Sequence, residues 1–137
     1  MALGMRENGK GLFGLLGIER QDKEKRKAFT LSMHKIFDAP QVIFLCLDSS
    51  LADYSLFDCG CFAQNICLLA TSRGLGTCIQ HSGVHDPDII RKYVPIPVEK
   101  KFLVAISIGY PDEQAVINQF RSNRETLEKV VHWESLG

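Results

Sequence analysis

The chain has 137 residues, 45% of them hydrophobic, with sixteen basic residues balanced by sixteen acidic ones. A chain of that length fits one domain over 1–137 and buries roughly two thirds of its unfolded surface, enough for an ordinary core. The neutral balance recommends neither nucleic acid nor an acidic membrane as a partner. Five cysteines are an odd number, follow no secretory signal and sit mostly in apolar runs, so reduced thiols in a cytoplasm are expected rather than a disulfide framework. The longest N-terminal apolar run, Gly11 to Ile18, is too short and too rich in glycine to span a bilayer.

In chain order, Met1 to Arg20 carries five glycines around a small apolar cluster and reads as an irregular or weakly helical leading segment. The spacing of Gly11, Gly14 and Gly17 is not that of a phosphate-binding loop, and no strand precedes it as that motif requires. From Asp22, DKEKRKAFTLSMHKIF suits a helix capped by Asp22, with Phe29, Met33, Ile36 and Phe37 along one side. Its basic and acidic residues read as a solvated face. Asp38-Ala39-Pro40 stops that helix, and Val42 to Leu47 follows as a continuous apolar run, the pattern of a strand buried on both faces.

A polar connection leads to the stretch FDCGCFAQNICLLATSRGLGTCIQ. Asp58 is placed to cap a helix in which Cys59, Phe62, Ala63, Ile66, Cys67, Leu69 and Ala70 recur at helical spacing. Apolar surface spreads beyond one stripe, so this helix, roughly 24 Å long, must be covered by the rest of the subunit or by a second one. Gly74 stands where a left-handed cap is expected, Gly76 allows a second unusual conformation, and Thr77 to Gln80 suits a short strand.

Asp86 and Pro87 make a helix start. Phe102 to Ile108 makes the last core strand, ended by Gly109-Tyr110-Pro111. Ser122 to Glu125 has the capping-box pattern for a short helix through Val131. Strands alternating with helices give a mixed α and β class, helices over a small sheet. Three strands are few, so either a partner completes the sheet or something is lost from the beginning.

Several side chains invite chemistry. Cys59, Cys61 and Cys67 with Cys78, His81 and His85 are of metal-ligand type, but Cys59 and Cys61 point about 200° apart on a helix, unlike a zinc knuckle. Free buried thiols are the expectation, with no metal. Cys78 and His81 on one strand would face opposite sides, against a nucleophilic pair. Asp38, Asp48, Asp58 and Asp86 each stand at an element boundary, where capping and turn formation account for an aspartate. Arg121 and Arg124 flank an expected helix start, where an anion is welcome, although a solvated surface pair is an equal reading. Phe120 and Trp133 suit the core more often than a stacked ligand.

Five pieces, FDAPQVIFLCLD, SLFDCGCFAQNICLLATSRGLGTC, DPDIIRKYVPIP, AISIGYPD and INQFRSNRETLEKVVHW, run in order from about Phe37 to Trp133. Together they resemble the nitroreductase family of flavin enzymes. The resemblance implies an α+β, nitroreductase-like three-layer arrangement, with a small mixed sheet covered by helices and the long central helix at a homodimer interface. It implies FMN as cofactor, with NAD(P)H donating hydride to the flavin and a nitroaromatic, quinone or similar small-molecule acceptor taking the electrons. The flavin would carry that chemistry, so no catalytic side chain is required.

By position, the resemblance implies that Ile79, Gln80 and His81 lie beside the flavin ring. Arg124 matches the family's C-terminal phosphate-binding basic residue, and Arg121 is a second candidate. Nothing in Met1 to Phe37 matches the Arg-x-Ser-x-Arg-like clamp or the Pro-Ser-x-x-Asn-x-Gln-Pro-Trp-like stretch of the family. The expectation is thus an N-terminally shortened, cytoplasmic oxidoreductase, and the competing one is a flavin-free remnant acting as a dimerising domain.

Overall fold

The computed structural model describes residues 2–134. They fall into two compact units, a larger one over Lys23–Pro111 and a smaller one formed by the described residues of 2–22 and 112–134.

The larger unit holds the sheet. Its elements are helix α2 (Lys23–His34), strand β1 (Gln41–Asp48), helix α3 (Tyr54–Thr71), strand β2 (Gly76–Gln80), the short helix α4 (Pro87–Arg91) and strand β3 (Lys100–Gly109). Among the described residues the sheet has three strands in the order β1-β3-β2. Both neighbouring pairs are antiparallel, which corrects the expectation of a mixed sheet. The crossover through α3 makes β1 and β2 run the same way, but β3 enters between them in the opposite sense, so no parallel pair touches.

The central position of β3 explains its composition. Ala105 and Ile106 are fully buried, and Ile106 stands opposite both Ile43 and Ile79. Side chains alternate across a strand, so Ile106 and Leu45 meet Ala63 of α3 in a core flanked by Ile43, Ile66, Cys67 and Val104. On the other face, Ala105 lies beneath the turn that follows β2, where Val84 is buried, and Ser107 is buried beside Gln80. Helix, sheet and turn layer thus stack as three layers. Within β1 only Leu45 is buried, not both faces as its apolar run suggested, because β1 is an edge strand.

A register shift between Leu45 and Cys46 sets Leu45 opposite Val104 but Cys46 opposite Phe102. The extra residue on β3, Leu103, switches Phe102 to the face that carries Phe44. The two rings meet edge to face at 5.8 Å, and the Arg91 guanidinium of α4 sits 5.1 Å from the Phe102 ring centre. Arg91 also donates to the Lys100 carbonyl at 2.8 Å, which ties α4 to the sheet.

α3 starts at Tyr54, one turn earlier than its sequence pattern suggested, and Asp58 lies inside it rather than at its cap. Tyr54-Ser55-Leu56-Phe57 contains no glycine or proline, so helix extends back through it. At 18 residues the helix is about 27 Å long. Ala63 and Ala70 are its buried residues, whereas Phe57, Phe62, Leu68 and Leu69 are all more than half exposed. One side of α3 packs on the sheet, and among the described residues Phe57, Phe62, Leu68 and Leu69 stand exposed on the other.

α2 ends at His34, so Ile36 and Phe37 are not on its face. Ile36, Phe37 and Asp38 instead form a left-handed turn, with φ of 57°, 53° and 55°. It is closed by Asp38 N–H to Lys35 O at 3.0 Å and Ala39 N–H to Ile36 O at 3.1 Å. That handedness costs roughly 1–2 kcal/mol per residue with a side chain, more awkwardly still for a β-branched one.

In the smaller unit, α1 (Ala2–Leu15) is a regular helix despite its glycines. Gly17, at φ +62°, ends it, with Ile18 N–H reaching the Phe13 carbonyl at 2.8 Å. The bare Cα of Gly11 leaves room for the Phe120 ring, which stands 3.2 Å from where a Cβ would be. The second helix here, α5 (Leu127–Val130), begins after Thr126, not at the Ser122 capping box. The Ser122 hydroxyl accepts from the Arg124 guanidinium and Glu125 pairs with Lys129 at 2.8 Å, so neither side chain caps a helix.

Candidate functional site

Gly74 takes φ +72°, and Leu75 N–H returns to the Ala70 carbonyl at 3.0 Å, the left-handed cap its position suggested. This stop lets β2 begin two residues later. Gly76 is not at a positive φ. It is small because a Cβ there would meet Pro111 at 3.3 Å.

At the far end of β2 the three expected flavin neighbours separate. Ile79 faces the α3 side and is 46% exposed, whereas Gln80 faces the other side and is 6% exposed. The Gln80 amide donates to the Ser107 hydroxyl at 3.0 Å, Ser107 donates to the Cys78 carbonyl at 3.4 Å, and Ser82 donates to Gln80 Oε1 at 3.5 Å. The Gln80 side chain is therefore engaged inside the sheet. His81 lies just past the strand, exposed, and opens the 3-10 turn Ser82–Val84. Its carbonyl accepts from Val84 N–H at 3.1 Å.

Arg121 and Arg124 are exposed in the smaller unit. Arg121 Nη1 donates to the Asn118 carbonyl at 2.7 Å and the Phe120 carbonyl at 2.9 Å. Arg124 Nη1 donates to the Ser122 hydroxyl and, at 3.2 Å, to the Asn123 carbonyl. Each guanidinium is steadied through one nitrogen by neighbouring backbone and keeps its charge toward solvent. Phe120 is half-buried, but Trp133 is 81% exposed and so departs from the core placement expected of it.

The cysteines are all free. Burial, opposed by Arg91 and Lys100, pushes the Cys46 thiol up. Desolvation and then the Cys67 thiol push Cys78 up, against a lowering hydrogen bond from Gln80. Among the described residues no group of three or more His, Cys, Asp or Glu could hold a metal ion, and no helix is long and apolar enough to cross a membrane.

Of the boundary aspartates, Asp48 makes the expected turn, accepting from Ser50 N–H at 3.0 Å and its hydroxyl at 2.6 Å. Asp86 precedes α4 without a side-chain capping bond.

Sequence reasoning passed over Ser107, Gly83 and the turn Ile36–Asp38. Ser107 carried a signal, a lone hydroxyl inside an apolar strand, which needs a partner when buried. Each unit by itself offers groups of a kind that FMN would use: the smaller has the exposed guanidinium groups of Arg121 and Arg124, suited to a phosphate, and the larger has exposed Ile79 and His81 on either side of extended Gln80, suited to a ring.

A family model described as "Nitroreductase family" matches residues 13–110. The 4-nitrobenzoate reductase of Pseudomonas putida is 32% identical over 125 residues, which are 91% of this chain and 55% of that protein. Among solved structures, the FMN and NADPH-dependent nitroreductase NfnB from sphigopyxis sp. strain HMH superposes with a TM-score of 0.93 at 26% identity, covering 98% of this chain and 60% of that one. The FMN-dependent NfnB from Mycobacterium smegmatis, solved in complex with NADPH, gives 0.93 at 25% identity with the same coverage. The chain spans about half the length of the curated relatives it matches. With its α+β fold, its left-handed glycine stop before β2 and a family match over most of its length, this chain belongs to the nitroreductase family.

Proposed function

We propose that this chain is an FMN-dependent oxidoreductase of nitroreductase type, a single nitroreductase-like domain over 1–137 that works as a homodimer in the cytoplasm. When bound, FMN would take hydride from NADPH or NADH and pass electrons to a nitroaromatic, quinone or similar acceptor. The chain's own residues bind and orient. Arg124, with Arg121 beside it in sequence, supplies positive charge to the phosphate. Ile79 and His81, with the backbone around Gln80, flank the ring. The Gln80 side chain acts indirectly, by holding the end of β2 to Ser107.

The observation that carries this reading is the likeness to two nitroreductase structures over nearly the whole chain, at a TM-score of 0.93. The homodimer is supported by the uncovered side of α3, where Phe57, Phe62, Leu68 and Leu69 stand exposed. Apolar area of that kind is stabilised by burial against a second copy. The cytoplasm is supported by the five free thiols.

The test is a visible absorption spectrum of the purified protein, before and after FMN is added and then, without oxygen, NADPH or NADH. The expected result is a retained flavin spectrum that bleaches with a nicotinamide. A protein that stays colourless after FMN is added and removed would overturn the reading and leave a flavin-free dimerising domain.

A further inference from the structure

The left-handed turn Ile36–Asp38 and the segment after β2 meet on the sheet face opposite α3. A Cβ placed on Gly83 would stand 2.6 Å from Ala105 Cβ and 3.2 Å from Ile36 Cδ1. Gly83 is therefore held between the centre of the sheet and the tip of Ile36, with no room for a side chain. Two further contacts bracket the same segment. Ser82 donates to the buried Gln80, and the His85 ring lies edge-on to His34 of α2 with centroids 6.4 Å apart.

Three consecutive residues with side chains at φ 57°, 53° and 55° adopt a conformation that persists only where the surroundings over-determine it. Reversing the hand of this turn would redirect the Ile36 Cβ and withdraw its Cδ1 from Gly83. The tight contact thus depends on the strained geometry.

We propose that Ile36 is a positioning residue. The left-handed turn clamps Gly83 against Ala105 and thereby fixes segment 81–85, which carries His81. The proposal rests on the flavin reading for what that segment faces, and a wall beside a flavin needs to be held in place before the ligand arrives.

The experiment is amide hydrogen exchange combined with FMN titration, on the unaltered chain and on Ile36→Val and Ile36→Leu. Valine removes only the δ carbon and leucine again reaches to the δ position, with two methyl groups, so both keep the turn apolar. The reporters are Val84 and His85, whose N–H groups donate to the His81 and Ser82 carbonyls at 3.1 and 3.4 Å. In Ile36→Val their exchange is expected to quicken about 3- to 10-fold while β3 amides hold, the size of a methyl lost from a partly buried contact read as local opening. FMN affinity should fall by a similar factor, and Ile36→Leu should recover most of both.

Unchanged exchange at Val84 and His85, or an equal rise across β3, would overturn the clamp whatever the flavin does. Faster exchange with undiminished FMN affinity would overturn the positioning role. An unaltered chain that retains no FMN would overturn the flavin reading and the positioning role with it, and the exchange result would still decide the clamp.

Discussion

The Gln80 amide donates to the Ser107 hydroxyl at 3.0 Å across the β2–β3 pair, between side chains only 6% and 5% exposed. A buried amide without a partner is costly, so the pair stabilises the end of β2 mainly through the penalty of breaking it. Ser107→Ala is expected to lose about 1–3 kcal/mol in urea unfolding. Adding Gln80→Leu to Ser107→Ala should recover part of that loss, because it removes the unpaired donor. A double variant that loses the sum of the two single effects would show that the residues act independently.

Ile66 and Leu69 lie on the same helix but predict opposite outcomes. Partly buried Ile66 packs on the Leu45, Ala63 and Ile106 cluster, so Ile66→Glu is expected to destabilise the fold by about 2–4 kcal/mol by setting a charge against that apolar cluster. Leu69 is 58% exposed, and Leu69→Glu should keep the circular dichroism of the unaltered chain while sedimentation shows a monomer. A Leu69→Glu protein that sediments as a dimer would remove this side of α3 from the interface.

Arg124→Ala should weaken FMN binding by about 1–3 kcal/mol if its guanidinium meets the phosphate, as for other charge-assisted contacts. The loss should shrink as salt rises, since the group is exposed. Fluorescence titration measures both, and unchanged affinity would rule out the assignment.

Asp48 makes a pH prediction. Its Ser50 hydrogen bonds, side chain first and backbone second, with Lys100 at 3.4 Å, hold its carboxyl below the ordinary 3.8. The folded value is depressed, so the stabilisation is in place above 3.8 and is lost as pH falls through the lower folded value. Carboxyl carbon NMR should show Asp48 titrating below 3.8 in the folded chain, and Ser50→Ala should move the midpoint upward. A midpoint at or above 3.8 would contradict the geometry.

The order of elements was legible in the residues themselves. The run Val42–Leu47, the Gly74 stop and the run Phe102–Ile108 lie inside β1, at the end of α3 and inside β3, because hydrophobic period and glycine conformation are local properties. The five quoted pieces also carried the family. Three things were decided only by tertiary structure. Which strand is central sets the antiparallel sheet and leaves β1 at an edge, and that depends on where β3 inserts. Whether Gln80 points to a ligand or into the sheet depends on Ser107, 27 residues away. The handedness of Ile36–Asp38 runs against local preference and brings the tip of Ile36 against Gly83. Local sequence favours the unstrained turn, and only packing energy from distant residues overrides that preference.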